Sequence, residues 1–528
     1  MTTGALLTAL LATIIALALV AKKLGIPYPV VFVIGGALLA LVPGIPTITL
    51  APDLVFLLFL PPLIFGDGWT TDVRTFLRYR GPILWLAIGL VLFTSVCVAY
   101  AAHWLIGVPL ALGYVLGAIL SPTDAVATDA IAEELNMPRR LTAILSGESL
   151  VNDASGLVIY AFAVTAVLTG TFSLGSAVLQ FVYVVVVGIA IGIGGGILLG
   201  RVLTWIRTSG LSDELISVSF SLVTPFALYV PADALHASGV LAALSGGMIL
   251  SRKSNQIFDA DSRIAGGAVW SLLFFTFNGA AFVLIGLQLR SIAHALSAYS
   301  AWTLVGWSLG ISAVVVLARY FWVFEAERLR RLIAPRLDER EGPKPRWQVM
   351  FIAGTAGMRG VVSLAAALAL PLNFPRRDLI LFIVFVVILV TLVGQGLLMP
   401  ILIRRWNVVE TGDATARGLV LAGLRLAEAA SARLRELQPS YGSPAAREAL
   451  ERLSARYDQR IVHFQAQADG TLDADLDASQ HDIEARLRRE AHRAERHALA
   501  ELRRSGAITD DAYRQVEWQI DLAESRLD

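Results

Sequence analysis

The sequence predicts an all-helical polytopic membrane protein with a helical cytosolic tail, and three observations carry that prediction. Hydrophobic residues make up 56% of the 528 residues and charged residues only 16%, where a soluble domain averages about 25% charged. The charges are segregated: the first 320 residues contain long stretches with none, while the last 120 are dense in Arg, Glu and Asp. The Lys and Arg residues between the apolar runs also alternate in density, as a bilayer requires. A net charge of +1 gives no bulk attraction to nucleic acid. The single cysteine, Cys97, excludes an intramolecular disulfide and a Cys-based metal site.

A helical span needs about 20 mostly apolar residues. Such runs fall near 4–21, 27–43, 53–69, 82–105, 109–132, 141–169, 176–204, 214–232, 237–251, 266–289, 300–324, 348–371 and 378–403, about thirteen spans. A signal peptide carries its positive charge before the apolar core. Here Lys22 and Lys23 follow it, so the first run reads as an uncleaved span with its N-terminus outside. In that orientation the inward loops hold nineteen Lys and Arg residues and the outward loops three, Arg290, Arg376 and Arg377. The alternation stays in phase to the end, apart from the Arg376-Arg377 pair, and leaves the C-terminus inside. The expected division is a transmembrane domain over 1–405 and a cytosolic helical domain over 406–528. In the latter, residues 419–437 and 482–504 show apolar residues at three-to-four spacing between charges. GSP near 442–444 and the acidic stretch 469–477 read as breaks.

An ionisable residue inside a span is a functional candidate by default. In the fifth span, GYVLGAILSPTDAVATDAIAEEL, Asp124 lies about 15 residues from the outer end, roughly 22 Å along the axis. Pro122 removes a backbone donor beside it, so the helix should loosen around Ser121–Thr123, which is tolerated at that depth only where the backbone lines a cavity. In the sixth span, LTAILSGESLVNDASGLVIYAF, Glu148 with Asn152 and Ser149 with Asp153 form i,i+4 pairs on one stripe. In the twelfth span, QVMFIAGTAGMRGVVSLAAALALP, Arg359 sits among Gly354, Gly357 and Gly360. A buried Arg requires a carboxylate, and Glu148, Asp124 and Asp153 are the candidates at matching depth. Broken helices at spans 5 and 12 occupy corresponding places in two six-helix halves, the pattern of inverted repeats that meet at a midplane ion site. Weaker polar positions are Asp67 and the Asp129, Glu133 and Glu134 group, read as solvated helix ends, and Asn278, read as a helix-packing hydrogen bond.

A hard cation such as sodium takes oxygen ligands. Asp124, Asp153, Ser149 and the backbone near Thr123 supply them. Two carboxylates sharing a cavity titrate as a coupled unit, so a proton and a sodium ion compete for the same oxygens. Competition combined with alternating access gives obligatory exchange. A potassium/proton exchanger on the same scaffold has the same ligand types. A membrane enzyme would need a nucleophile or a metal pair, whereas His103, His236 and His294 lie near outer span ends without a paired-His motif. A non-transporting sensor would signal through the tail, which carries no catalytic or nucleotide-binding motif.

SPTDA in one span, GESLVND in the next and GMRG later resemble the sodium/proton exchangers of the first monovalent cation:proton antiporter family, bacterial members in particular. LPPLIFGDGW and FVLIGLQL add to the likeness, which covers about residues 10–400. The resemblance implies electroneutral exchange of sodium, with lithium a further substrate, in pH and sodium homeostasis at the bacterial cytoplasmic membrane. It implies Asp153 as the principal ion- and proton-carrying acid, with Asp124, Ser149 and Thr123 as sodium ligands. It also implies Asn152 as a supporting residue, Glu148 with Arg359 as the structural ion pair, a homodimer moving the ion by an elevator-like motion, and no cofactor. One departure stands out. Some relatives carry an acid directly after the Phe of LPPLIF, where this chain has Gly66 and, one residue on, Asp67. One residue turns a helix by about 100°, so Asp67 stays outside the expected ligand set.

Overall fold

A computed structural model of the chain describes residues 3–42, 55–170, 174–211, 213–288, 299–326, 328, 346–409, 413–440 and 443–469, with scattered residues between 491 and 516. The chain divides into two compact units, Met1–Glu410 and Thr411–Asp528. The described residues contain helices and no strand. In chain order the principal helices of the first unit are α1 (Thr3–Leu24), α2 (Tyr28–Ala40), α3 (Leu60–Thr70), α4 (Arg80–Ile106), α5 (Leu110–Leu120), α6 (Ala125–Glu134), α7 (Arg139–Thr169) and α8 (Leu174–Thr208). They continue with α9 (Glu214–Ala234), α10 (Gly239–Arg252), α11 (Ala260–Leu287), α12 (Ala301–Phe321), α13 (Trp347–Thr355), α14 (Val361–Leu368) and α15 (Arg377–Trp406). Among the described residues nine helical stretches are long and apolar enough to cross a bilayer, the α5–α6 stretch counting as one; α2 and α10 are shorter apolar helices. The run expected at 348–371 is two short helices, α13 and α14. The Arg-rich loop expected between Arg328 and Arg346 lies almost wholly outside the described residues, as does Arg290.

Local chemistry sets the helix ends. Prolines at 27, 109 and 138 stand just before α2, α5 and α7, where a missing N–H costs nothing. Asp213 Oδ1 accepts from Ile216 N at 2.7 Å and Asp259 Oδ1 from Ser262 N at 2.8 Å, capping α9 and α11. Pro61 and Pro62 begin α3, and the turn before them, Val55–Phe59, is π-helical. The Arg376-Arg377 pair that breaks the charge alternation has a local use. The Arg377 guanidinium donates to Leu370 O and Leu368 O, each at 3.0 Å, satisfying carbonyls at the end of α14.

The first unit has two large apolar bodies. One joins residues of α1, α2, α4–α7 and α11–α15. The other joins residues of α3 and α7–α10. Helix α7 contributes to both, through Leu141 and Leu145 on one side and Leu150 and Ala154 on the other. Large apolar side chains such as Leu19, Leu179 and Trp302 are exposed on the outside, which suits a hydrocarbon solvent.

The second unit, by itself, begins with a helical hairpin, α16 (Asp413–Leu437) and α17 (Pro444–Ala468). Ser443 caps α17 by accepting from Ala446 N at 3.3 Å. Asp458 ties the pair together, accepting from Ser431 Oγ at 2.8 Å and from Arg435 at 3.2 Å. The acidic break at 469–477 and the amphipathic stretch 482–504 lie largely outside the described residues.

Candidate functional site

Two interruptions cross at the heart of the first unit. Helix α5 stops at Leu120, and α6 starts at Ala125 with Asp124 as its cap, Oδ1 accepting from Val126 N at 2.9 Å. Helix α13 stops at Thr355 and α14 starts at Val361. Between them, Asp124 N donates to Met358 O at 2.8 Å, and Arg359 Nε donates to Leu120 O at 3.0 Å. The free carbonyl end of α5 thus meets a cation and the N-terminus of α6 meets a carboxylate, both favourable to the helix dipoles. Gly360 lies so close to the Asp124 carboxylate that a Cβ there would overlap it. Only glycine permits this approach.

Around the crossing lies a small cavity of about 50 Å³. Its walls bring together Asp124 and Thr123 from the α5–α6 interruption, Ser149 and Asp153 from α7, Asp67 from α3 and Asn278 from α11. Thr123 is held by its neighbours: Asn152 Nδ2 donates to its Oγ1 at 2.8 Å, and its hydroxyl lies 3.3 Å from Ser149 Oγ. Asp124 Oδ2 and Asn278 Oδ1 are buried and make no hydrogen bond among the described residues. The donor set is wholly oxygen from carboxylate, hydroxyl and amide, a hard set. Among the described residues, no three acid, His or Cys side chains gather closely enough to hold a resident metal; the carboxylates are spread around the walls.

The expected pairing of Glu148 with Arg359 is not what the structure shows. Glu148 is taken by Arg319 of α12 in a bidentate bridge, Nη1 to Oε1 at 2.5 Å and Nη2 to Oε2 at 2.9 Å, with both side chains almost fully buried. Arg319 Nε also donates to Ala353 O at 3.0 Å. Thr123 Oγ1 lies 3.4 Å from Glu148 Oε1, so the bridge props the residue beside Asp124. Arg359, fully buried, makes no ion pair among the described residues. Its bonds go to backbone carbonyls of Leu120 and Gly357, and its own N–H to Thr391 Oγ1 at 3.2 Å. The physical reason is that an interrupted helix offers an alternative to a carboxylate: a set of orphaned carbonyls that accept from a guanidinium. Arg319 escaped sequence reasoning although a signal was present, a lone Arg inside the apolar run 300–324.

Asp67 shares the cavity with Asp124 and Asp153 despite its offset in the motif. A wider space of about 550 Å³ lies against it, lined by Asp67, Asp72, Asp129, Glu133 and Arg139 among others. Asp129 is not a simple solvated end, since Ser146 Oγ donates to its Oδ1 at 2.7 Å. Glu134 lies 3.7 Å from Arg404 in an exposed pair.

The transmembrane model for sodium/hydrogen exchangers matches residues 6–405. An uncharacterized Na(+)/H(+) exchanger of Escherichia coli (strain K12) is 32% identical over 520 residues, covering 95% of this chain and 94% of that protein. A sodium, potassium, lithium and rubidium/H(+) antiporter of Bacillus pumilus (strain SAFR-032) is 34% identical over 389 residues, covering 71% of this chain and 58% of that protein. Among solved structures, the sodium proton antiporter of Methanocaldococcus jannaschii matches with a TM-score of 0.60 at 19% identity, over 77% of this chain and 98% of that one; this likeness concerns the fold. On the family match and the identity to full-length relatives, the chain belongs to the sodium/hydrogen exchanger family.

Proposed function

We propose that this chain exchanges Na+ for H+ by alternating access, with cation and proton competing for Asp153 and Asp124 and with Thr123 and Ser149 completing the oxygen set. The observation that carries the reading is the common cavity: acids from two helices line one small space at the crossing of two interrupted stretches. A space of about 50 Å³ takes few waters, so an entering cation gives up hydration and must be compensated by the carboxylates. A proton neutralising those carboxylates removes the compensation, and each ion then leaves only when the other arrives. Asn152 holds Thr123 and adds no charge, which supports electroneutral exchange. The Glu148–Arg319 bridge holds α7, α12 and Thr123 in register, and Arg359 neutralises the carbonyl end of α5.

In this reading the membrane domain has thirteen crossings: the nine long stretches, α2 and α10, the Val55–Phe59 turn with α3, and the α13–α14 pair. The N-terminus is outside, the tail is in the cytosol, the host membrane is the bacterial cytoplasmic membrane, and the protein is a homodimer serving pH and sodium homeostasis. No cofactor takes part; Na+ and H+ are substrates. Broader selectivity is a second reading, favoured by the Bacillus pumilus relative named for sodium, potassium, lithium and rubidium. The test is proton flux in proteoliposomes with Na+, Li+, K+ or no added cation, with voltage free and clamped. Na+-dependent flux insensitive to the clamp supports the proposal, and Asp153→Asn should abolish it in a protein that still purifies as a monodisperse species. Persisting Na+-dependent flux in that variant refutes the assignment of Asp153; K+-dependent flux beside the Na+-dependent flux selects the second reading.

A further inference from the structure

Among the described residues, Asp67 is the one carboxylate that lines both the small ion cavity and the wider space beside it. The wider space, about 550 Å³, has room for a hydrated cation; the ion cavity, about 50 Å³, does not. Between them the cation must shed water, the costly step in moving a small ion into a protein. Of the charged side chains on the wider space, Asp67, Asp72, Asp129 and Glu133 are acidic and Arg139 is basic, a field that gathers cations. Asp129 is engaged by Ser146. The Asp67 carboxylate makes no hydrogen bond or ion pair among the described residues, so its oxygens are available to replace departing water.

The packing of α3 fixes where that carboxylate points. On one flank a Cβ at Gly66 would run into the ring of Phe274; on another a Cβ at Gly68 would meet Leu244 O. The two neighbours of Asp67 are therefore packed closely, Gly66 against the Phe274 ring of α11 and Gly68 against the backbone of α10, which restrains rotation of α3. The π-helical turn Val55–Phe59, ahead of Pro61 and Pro62, adds a residue to the turn that feeds α3 and so sets the face on which position 67 emerges.

We propose that Asp67 is an entry carboxylate: it takes the cation at the neck between the two spaces and passes it to Asp124 and Asp153. It acts on the loading of the site from the side of the wider space and is not part of the final ligand set. The inference rests on the exchange reading above. It applies to the face bearing Arg139, cytoplasmic in the charge-derived topology.

The test compares Asp67→Asn and Asp67→Ser with the parent in everted and right-side-out vesicles, recording Na+-driven proton flux from each face over a range of Na+. The expected result is an apparent KM for Na+ raised about tenfold at the cytoplasmic face, with the maximal rate held within about twofold. The KM at the opposite face should stay near the parent value, and Asp67→Glu should restore most of the loss. An unchanged KM at the cytoplasmic face, an equal rise at both faces, or loss of maximal rate at unchanged KM overturns the proposal. The second neutral variant covers the case in which one fails to fold. Failure of the exchange reading itself looks different, because the parent protein would then show no Na+-dependent flux from either face.

Discussion

Removing Arg319 should cost more stability through Glu148 than through anything else it touches, and a double-mutant cycle measures this. The guanidinium gives two bonds to Glu148, at 2.5 and 2.9 Å, and one to Ala353 O at 3.0 Å. In Arg319→Met, Glu148 keeps only the long 3.4 Å contact with Thr123 and is left without its cation at 1% exposure. Breaking a buried pair from one side costs about 3–5 kcal/mol, whereas replacing both partners by apolar groups is often nearly neutral. Arg319→Met and Glu148→Leu should therefore each lose about 3–5 kcal/mol, the double variant much less, and their coupling should come to about 3 kcal/mol or more. Arg359→Met combined with Glu148→Leu should couple by less than the 319–148 pair, since those residues share no direct contact. Unfolding free energies come from SDS titration in mixed micelles, with reversibility checked by refolding. A larger coupling for the 359–148 pair than for the 319–148 pair would refute the assignment of the bridge.

Two further outcomes concern the crossing and the cavity. Gly360→Ala forces a methyl group onto the Asp124 carboxylate, an overpacking that costs about 1–3 kcal/mol; Na+-driven flux should fall by about tenfold or more, while Gly267→Ala, with nothing within 4 Å of the added carbon, leaves it unchanged. One proton competing with one cation should raise the apparent KM for Na+ by about tenfold for each pH unit on the acid limb, at constant maximal rate; a maximal rate that falls with pH at fixed KM would contradict competition.

What the sequence made legible follows from how local each signal was. Pro122 next to Asp124, and Glu148, Ser149, Asn152 and Asp153 at helical spacing, announce a polar stripe within a few residues, and the structure sets Asp124 and Asp153 on one cavity. The Glu148–Arg319 bridge spans 171 positions, and no spacing rule reaches across that interval. Arg359, set among glycines, drew the pairing instead, because sequence does not reveal that the end of α5 leaves Leu120 O open for it. Asp67 was displaced by one position in its motif, and its true facing depends on the packing of Gly66 against Phe274 and on a π-helical turn, neither of which periodicity encodes. The run 348–371 is apolar enough for one continuous span, but its glycine-rich middle forms two helices.

Helix α7 roots in both apolar bodies, and Asp153 stands beside Ala154, one of its anchors in the smaller body. The acid therefore sits where α7 joins the smaller body. If the smaller body slips along the larger, the contact that gives way runs past Leu150 and Ala154, within a turn of the carboxylate. A stroke of that kind cannot leave the ion undisturbed, so the same displacement that moves the bodies also unseals the chamber. A side chain too bulky for that seam would jam movement and release together, although it touched no ligand at all.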